Sequence, residues 1–246
     1  MPGTLSQRDL ERYDRQMMIR GWGREGQAKL KSAAVVVAGI GGLGCPAALY
    51  LSAAGVGRIR LIDRDQVELN NLNRQILHWE SDLGRQKAES AKEKLERLNS
   101  DVAIETIDAT ITDQNAMELM RGFDIVIDGM DNFQTRFVLN RACVSEGIPF
   151  IFGSIYGFEG FMTTIVPRKT PCLACIYGDV TPEIGKFPVV GTTPATIACL
   201  QVTEALKLIL GIGAHYLGRL LFWDGEDMVF REIELQKKSD CPVCSR

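Results

Sequence analysis

Apolar residues along this chain fall into two kinds of run, and their alternation predicts a fold. Short β-branched stretches, of which Val35–Val37 is the clearest, read as strands buried on both faces. Between them lie longer segments with small or apolar residues at helical spacing. Pro46–Ala54 is one: Pro46 sits in the first turn, where its missing N–H does no harm, and Gly55 suits the position just past the end. Arg58–Asp63 is the next strand. Gly84–Asn99 reads as a helix capped by Ser81 or Asp82, with Ala88, Ala91, Leu95 and Leu98 as its buried stripe. A strand at Val102–Ile107, a helix through Met117–Met120 and a strand at Asp124–Asp128 follow. Helix Thr135–Glu146, closed by Gly147, and strand Ile148–Gly153 continue the series. Strands and helices alternating in this way define a doubly wound, mostly parallel sheet.

Beyond residue 153 the pattern changes. Phe158–Val166 and Gly218–Glu234, the latter broken at Asp224-Gly225, read as longer β segments. Between them Thr193-Pro194 opens a helix, Ala195–Leu210, whose narrow polar stripe (Gln201, Glu204, Lys207) predicts that it is mostly buried. The expected architecture is therefore a Rossmann-like mixed α/β sheet, its parallel N-terminal part continued by antiparallel strands. At the start of the chain, Ser6 and Asp9 have the spacing of a helix cap. The helix after them carries Arg12 and Arg15 on one face, and a second short helix spans Gly23–Leu30. No repeat, low-complexity tract or linker divides the chain, so residues 1–246 are expected to form a single domain.

The first strand ends in Gly39-Ile-Gly-Gly-Leu-Gly44, and a helix begins at once. Glycines let the backbone turn sharply and approach a phosphate, while free N–H groups and the positive helix end attract it. Asp63 ends the next strand 19 residues beyond Gly44, placed to accept from a ribose. Nucleotide binding is the reading, and a glycine turn that merely packs a helix on the sheet is its bland alternative. Residues 64–75 are too polar for a strand and lack a helical stripe, so they form a loop at the carboxyl edge of the sheet, where α/β proteins bind ligands. Lys87 lies in a first helical turn, off the buried stripe. A cation there opposes the helix dipole, which a nearby anion would explain. Asp128-Gly-Met-Asp131-Asn132 stands at another carboxyl strand end.

A formal net charge of −3 argues against a nucleic-acid or anionic-membrane surface as main partner. No 18-residue apolar run is evident, so no membrane span is expected, and the polar stretch Met1–Leu10 lacks a signal core. A cytoplasmic location is the expectation. Of seven cysteines, four form two pairs, Cys172-Leu-Ala-Cys175 and Cys241-Pro-Val-Cys244. Two such pairs supply the four thiolates of a closed tetrahedral zinc site, which leaves no open position for catalysis. Zinc would then staple the C-terminal tail to the middle of the chain.

Taken in order, these blocks resemble the ThiF/MoeB/HesA family of the ubiquitin-activating-enzyme superfamily. The resemblance rests on Arg12-Tyr13-Asp14-Arg15-Gln16, the glycine turn, Asp63-x-Asp65, Asn71-Leu72-Asn73-Arg74-Gln75, Gly84-x-x-Lys87-Ala88, Asp128-x-x-Asp131-Asn132 and both cysteine pairs. It implies ATP-dependent adenylation of the C-terminal glycine carboxylate of a small ubiquitin-like sulfur carrier ending in Gly-Gly, as in thiamine or molybdopterin synthesis. It further implies that Arg74 and Lys87 bind the phosphates, that Asp131 is linked to Mg2+ and that Asp63 holds the ribose. Gly39, Gly41 and Gly42 would lie at the nucleotide, Asn71 would help position phosphate, and Asp65 and Asn132 would border the site. Arg15 would reach the ATP of a neighbouring subunit in a homodimer. Relatives that bind their carrier covalently place a cysteine between the first Cys-x-x-Cys and the late helix. Here Ile176–Gly191 contains none and is shorter than usual, so no enzyme–carrier thioester is expected. Cys45, Cys143 and Cys199 are expected to be packing residues, Cys199 within the buried late helix. An NAD-dependent oxidoreductase shares the glycine fingerprint but does not need Arg74, Lys87 and Asp131. A zinc-stapled scaffold that binds a carrier without turnover is the non-enzymatic alternative.

Overall fold

The structure, a computed structural model, describes residues 4–178 and 185–245. Eight strands form one sheet in the order β3-β2-β1-β4-β5-β6-β7-β8. β1 (Ala34–Ala38), β2 (Arg58–Ile62), β3 (Ala103–Ile107), β4 (Ile125–Asp128) and β5 (Phe150–Tyr156) pair in parallel. β6 (Glu159–Ile165), β7 (Arg219–Asp224) and β8 (Val229–Glu234) continue the sheet antiparallel from β5. The chain leaves β1 in one direction for β2 and β3, then returns across β1 to β4 and β5. That reversal leaves a crevice at the carboxyl ends of β1 and β4.

β1 is buried on both faces because helices cover both. Val35 and Val37 meet one core, and Ala34, Val36 and Ala38 meet the other. The first core is roofed by α3 (Gly23–Ser32), α4 (Gly44–Ala54), α5 (Lys87–Leu98) and α9 (Thr192–Leu210). The second lies under α6 (Ala116–Met120), α7 (Phe133–Glu146) and the short α8 (Leu173–Tyr177), whose N-cap Cys172 and third residue Cys175 form the first cysteine pair. α4 ends at Gly55 in the left-handed conformation, φ 85°, as a helix-terminating glycine should.

Several local expectations are corrected. The N-terminal helix is two pieces, α1 (Gln7–Arg12) and α2 (Asp14–Met17), broken at Tyr13. Asn99 Nδ2 donates to the buried Tyr13 hydroxyl at 2.8 Å, and Arg12 turns to donate to the Leu98 carbonyl. Arg12 and Arg15 therefore do not share one helical face. α5 begins at Lys87 rather than Gly84, and Asp82 does not cap it; that carboxylate accepts from Trp79 N and pairs with Arg85 and Lys94. α9 is, by length and composition, apolar enough to cross a membrane, with mean hydropathy 1.2 over 18 residues. It serves here as a core helix on β5 and β6. Its polar stripe faces inward: Gln201 is fully buried and donates to the Asp128 and Ile151 carbonyls, both at 2.9 Å. Cys199 is consequently exposed rather than buried.

Candidate active site

A cavity of about 1040 Å³ opens at the carboxyl ends of β2, β1, β4 and β5. Those four strands span three inter-strand spacings, about 14 Å. Gly39, Gly41, Gly42, Asp63, Asp65, Arg74, Lys87, Asp131 and Asn132 all line it. Two of the sequence candidates do not. Asn71 is buried and turned into its own loop: its Oδ1 accepts from Glu68 N at 3.1 Å and its Nδ2 donates to Asn70 Oδ1. Asn70 and Asn73 reach the cavity instead. Arg15 is exposed on α2, outside the cavity.

The glycines of the turn serve different purposes. A Cβ on Gly39 would lie 2.6 Å from the Gly129 carbonyl oxygen, and φ is 90°, so packing of β1 against the β4 turn requires glycine there. A Cβ on Gly41 would meet only the end of Gln75, at 3.7 Å. Its backbone faces open cavity, the property a phosphate-binding turn needs.

Around this turn the charges are held by backbone and by one another. Asp63 accepts from Ile40 N through Oδ2 at 2.7 Å and from Asp65 N through Oδ1 at 2.8 Å. Burial pushes its carboxyl up, against the opposing pull of Lys87 and of those two N–H groups. Lys87 is almost fully buried, its Nζ 2.9 Å from Asp65 Oδ2. That pair supplies the anion that the cation's place in a first helical turn called for. Arg74 donates to the Asn70 carbonyl at 2.7 Å and to Asn73 Oδ1 at 2.9 Å, which fixes its guanidinium at the cavity rim. Across the cavity Asp131 is exposed and makes no ion pair among the described residues. Its neighbour Asn132 caps α7, accepting from Thr135 N at 2.8 Å.

Asp128 does not reach the cavity. Fully buried, it pairs with Arg136 Nε at 3.1 Å and accepts from Met130 N at 3.0 Å, fixing the turn that presents Asp131. Burial pushes its carboxyl up, with Arg136 opposing. Arg136 also donates to the Gly153 carbonyl at 3.0 Å, tying β4's turn to β5, and it lines the cavity. Gln75 lines it too, buried, with an Oε1 that has no hydrogen-bond partner among the described residues. Sequence reading singled out neither residue's role, nor that of Lys186, which also borders the cavity. On the β5 side the wall becomes apolar: Tyr156, Phe161, Tyr177 and Phe187, with the Tyr156 and Phe187 rings stacked 6.5 Å apart.

The second cluster lies in the other layer. The Sγ atoms of Cys172, Cys175, Cys241 and Cys244 are buried and all within 4.8 Å of one another. Cys172–Cys241 and Cys175–Cys244 are 3.7 and 3.4 Å apart. A disulfide needs about 2.05 Å, whereas a zinc tetrahedron with bonds of about 2.3 Å has edges of about 3.8 Å. Burial opposes ionisation of Cys241, yet the N–H groups of Cys244 and Val243 bring its thiol down to about 7. The donor set fits a closed four-thiolate site. The remaining buried thiols are inert by environment: burial pushes Cys45 up to about 12 and Cys143 up as well.

Residues 13–243 match the ThiF family. The chain is 45% identical to the SAMP-activating enzyme E1 of Haloferax volcanii, over 98% of this chain and 91% of that one. It is 41% identical to the sulfur carrier protein adenylyltransferase of Thermus thermophilus, over 96% and 91%. Against the adenylyltransferase and sulfurtransferase MOCS3 of Anopheles gambiae it is 43% identical over 98% of its own length but spans only 56% of that protein. Among solved structures, E. coli MccB with ATP is similar at a TM-score of 0.82, with 26% identity over 95% of this chain and 74% of that one. The glycine turn, the Arg74 and Lys87 cations and the four-cysteine cluster stand in one chain that belongs to the ThiF family.

Proposed function

We propose that the protein is an adenylyltransferase that uses ATP to activate the C-terminal carboxylate of a small ubiquitin-like sulfur carrier ending in Gly-Gly, and that residues 1–246 act as one adenylation domain. The observation that carries this reading is the composition of the cavity at the carboxyl ends of β2, β1, β4 and β5. At the β1 and β2 ends it offers a glycine turn, the cations Arg64, Arg74 and Lys87 and the Asp63 and Asp65 carboxylates; at the β5 end it offers aromatic walls. The first half suits a nucleoside triphosphate, and the second suits an extended tail without side chains.

The residues divide the chemistry accordingly. A carboxylate attacks the α-phosphorus, the bond to the bridging oxygen breaks, and pyrophosphate leaves with that electron pair. Negative charge accumulates on the phosphoryl oxygens, so preorganised cations are the main catalytic device. Arg74 and Lys87 are the cations placed for this, and Lys87 would exchange its Asp65 partner for phosphate. Asp63 and Asp65 border the ribose side, and Gly41 and Gly42 let phosphate approach the backbone. Asp131, exposed and accepting only from Asn132 Nδ2 at 3.2 Å among the described residues, is the carboxylate that would hold Mg2+, which when bound would neutralise phosphate charge; Asn132 fixes the helix start beside it.

A homodimer completes this reading. Arg15 is flanked by Met18 and Ile19, 65% and 51% exposed, while Leu69 and Ile76 stand exposed around Arg74 at 67% and 52%. Two apolar patches, each beside an arginine, suit a two-fold contact in which Arg15 enters the partner's site. Mixing Arg15→Ala with Asp131→Ala chains leaves one intact site per heterodimer. Activity is expected to return to a substantial fraction of wild type, and none after confirmed subunit exchange would remove the trans arginine.

The reaction is expected to stop at the acyl-adenylate. Residues 179–184 of the cysteine-free segment lie outside the described residues, and the sequence there holds no thiol. Intact-mass analysis after incubation with ATP, Mg2+ and a Gly-Gly-ending carrier should show carrier heavier by one adenylyl group and unmodified enzyme. Unmodified carrier would overturn the proposed activity. A thiol-sensitive enzyme–carrier adduct lost in Cys199→Ala would overturn the absence of a covalent step.

A further inference from the structure

Beneath the glycine turn lies a buried polar chain that the proposed chemistry does not use. Lys94, paired with the buried Asp82, donates to Ser90 Oγ at 3.0 Å. Ser90 Oγ is 3.0 Å from His78 Nδ1, and His78 Nε2 is 3.1 Å from the carbonyl oxygen of Ile40. His78, Ser90 and Lys94 are all buried, and none lines the cavity. Directions follow from the two ends. An ammonium only donates and a carbonyl only accepts. Ser90 therefore takes its hydrogen bond from Lys94 and gives its own proton to Nδ1, and the neutral imidazole donates from Nε2 to Ile40. Burial, with Lys87 and Lys94 nearby, holds the imidazole in that neutral form.

Ile40 sits inside the turn, and the peptide that follows it ends at Gly41. A peptide bordered by glycine flips readily, because glycine accepts either sign of φ. A flip here would exchange the two faces of the Ile40–Gly41 peptide and aim a carbonyl oxygen where an anion must sit. In a planar trans peptide the C=O and N–H point oppositely. Holding the Ile40 carbonyl down against His78 thus points the Gly41 N–H away from His78, toward the cavity that Gly41 lines. Asp63 pins the preceding peptide through Ile40 N at 2.7 Å, so both peptides of Ile40 are fixed.

We infer that His78, oriented by Ser90 and Lys94, is a positioning residue that locks the glycine turn in its anion-accepting orientation. The inference rests on the reading of this turn as the phosphate site. It makes a demand that simple packing does not. Asn at position 78 carries an amide near the Nδ1 position only, whereas Gln places one near Nε2, within reach of Ile40.

The test is titration of ATP with Mg2+ into wild type, His78→Asn and His78→Gln, with thermal melting of each. Both variants lose the ring and should fall in Tm to a similar degree. ATP binding should weaken about tenfold or more in His78→Asn, the scale of one well-placed hydrogen bond, and stay within about threefold of wild type in His78→Gln. Ser90→Ala, which leaves the ring but frees its tautomer, should weaken binding in the same direction and decides the matter if His78→Asn does not fold. Equal affinities in the two His78 variants, or an unchanged Ser90→Ala, with wild type binding normally, would overturn the clamp alone. Wild type that does not bind ATP would overturn the phosphate-site reading and the clamp with it.

Discussion

Metal analysis of protein purified without chelator is expected to give one zinc per chain, and stripping it should cost the fold its C-terminal end. The four thiols come from two places far apart in sequence, α8 and the tail after β8, and they meet in the second core. Binding of this kind contributes about 10–16 kcal/mol in small zinc peptides, against a net stability of about 5–15 kcal/mol for a domain. Cys241→Ser or Cys175→Ser should therefore lower Tm sharply, and a strong chelator should do the same to wild type. Apart from the cysteines, residues 235–245 are tied back by the Leu235 N–H donating to the Gly218 carbonyl and by Leu235 and Val243 on the second core, so proteolysis of the metal-free protein should trim them first. Protein purified in the absence of chelator and oxidation that contains no zinc would contradict the assignment.

How much of this was legible in the sequence depended on whether a residue belonged to a pattern. The β-branched run at Val35–Val37, the glycines after it and Asp63 form a strand–turn–helix–strand unit whose pieces constrain one another, and β1, α4 and β2 stand where they were expected. The antiparallel extension was readable from the change in rhythm after residue 153. Cys-x-x-Cys spacing is similarly self-announcing, and the four sulfurs do converge. Single polar side chains were another matter. Asn71, Asn132 and Asp82 are of the types that bind ligands and of the types that cap backbone, and sequence does not separate those uses. Asn71 and Asp82 satisfy N–H groups of their own loops, while Asn132 caps α7 and also borders the cavity.

His78 and Arg136 escaped notice for a related reason, and Gln75 was seen only as the end of the block at residues 71–75. His78 and Arg136 act through tertiary contacts, to Ile40 and to Asp128 and Gly153, and neither belongs to a periodic stripe. α8 is a five-residue helix, too short to carry a helical period. On α9 the sequence showed the stripe but not which way it faces. Gln201 and Glu204 point inward because backbone carbonyls of β4 and β5, a hydroxyl of β6 and the Tyr216 N–H give them partners there. Cys199 is left outside as a result.

The central claim is that Arg74, Lys87 and Asp131 form one site that moves an adenylyl group onto a carrier carboxylate. Carrier-dependent exchange of labelled pyrophosphate into ATP tests it most directly, because exchange requires the acyl-adenylate to form and revert. Wild type should catalyse exchange only when a Gly-Gly-ending carrier is present. Arg74→Ala and Asp131→Ala should each reduce it by about 10²-fold or more, the usual loss when a preorganised charge is removed from a transition state. Both side chains are at least partly exposed at the cavity rim, so Tm in each variant should stay close to wild type, separating lost chemistry from lost structure. Exchange at wild-type rates in both variants, or exchange that proceeds equally well without carrier, would contradict the account.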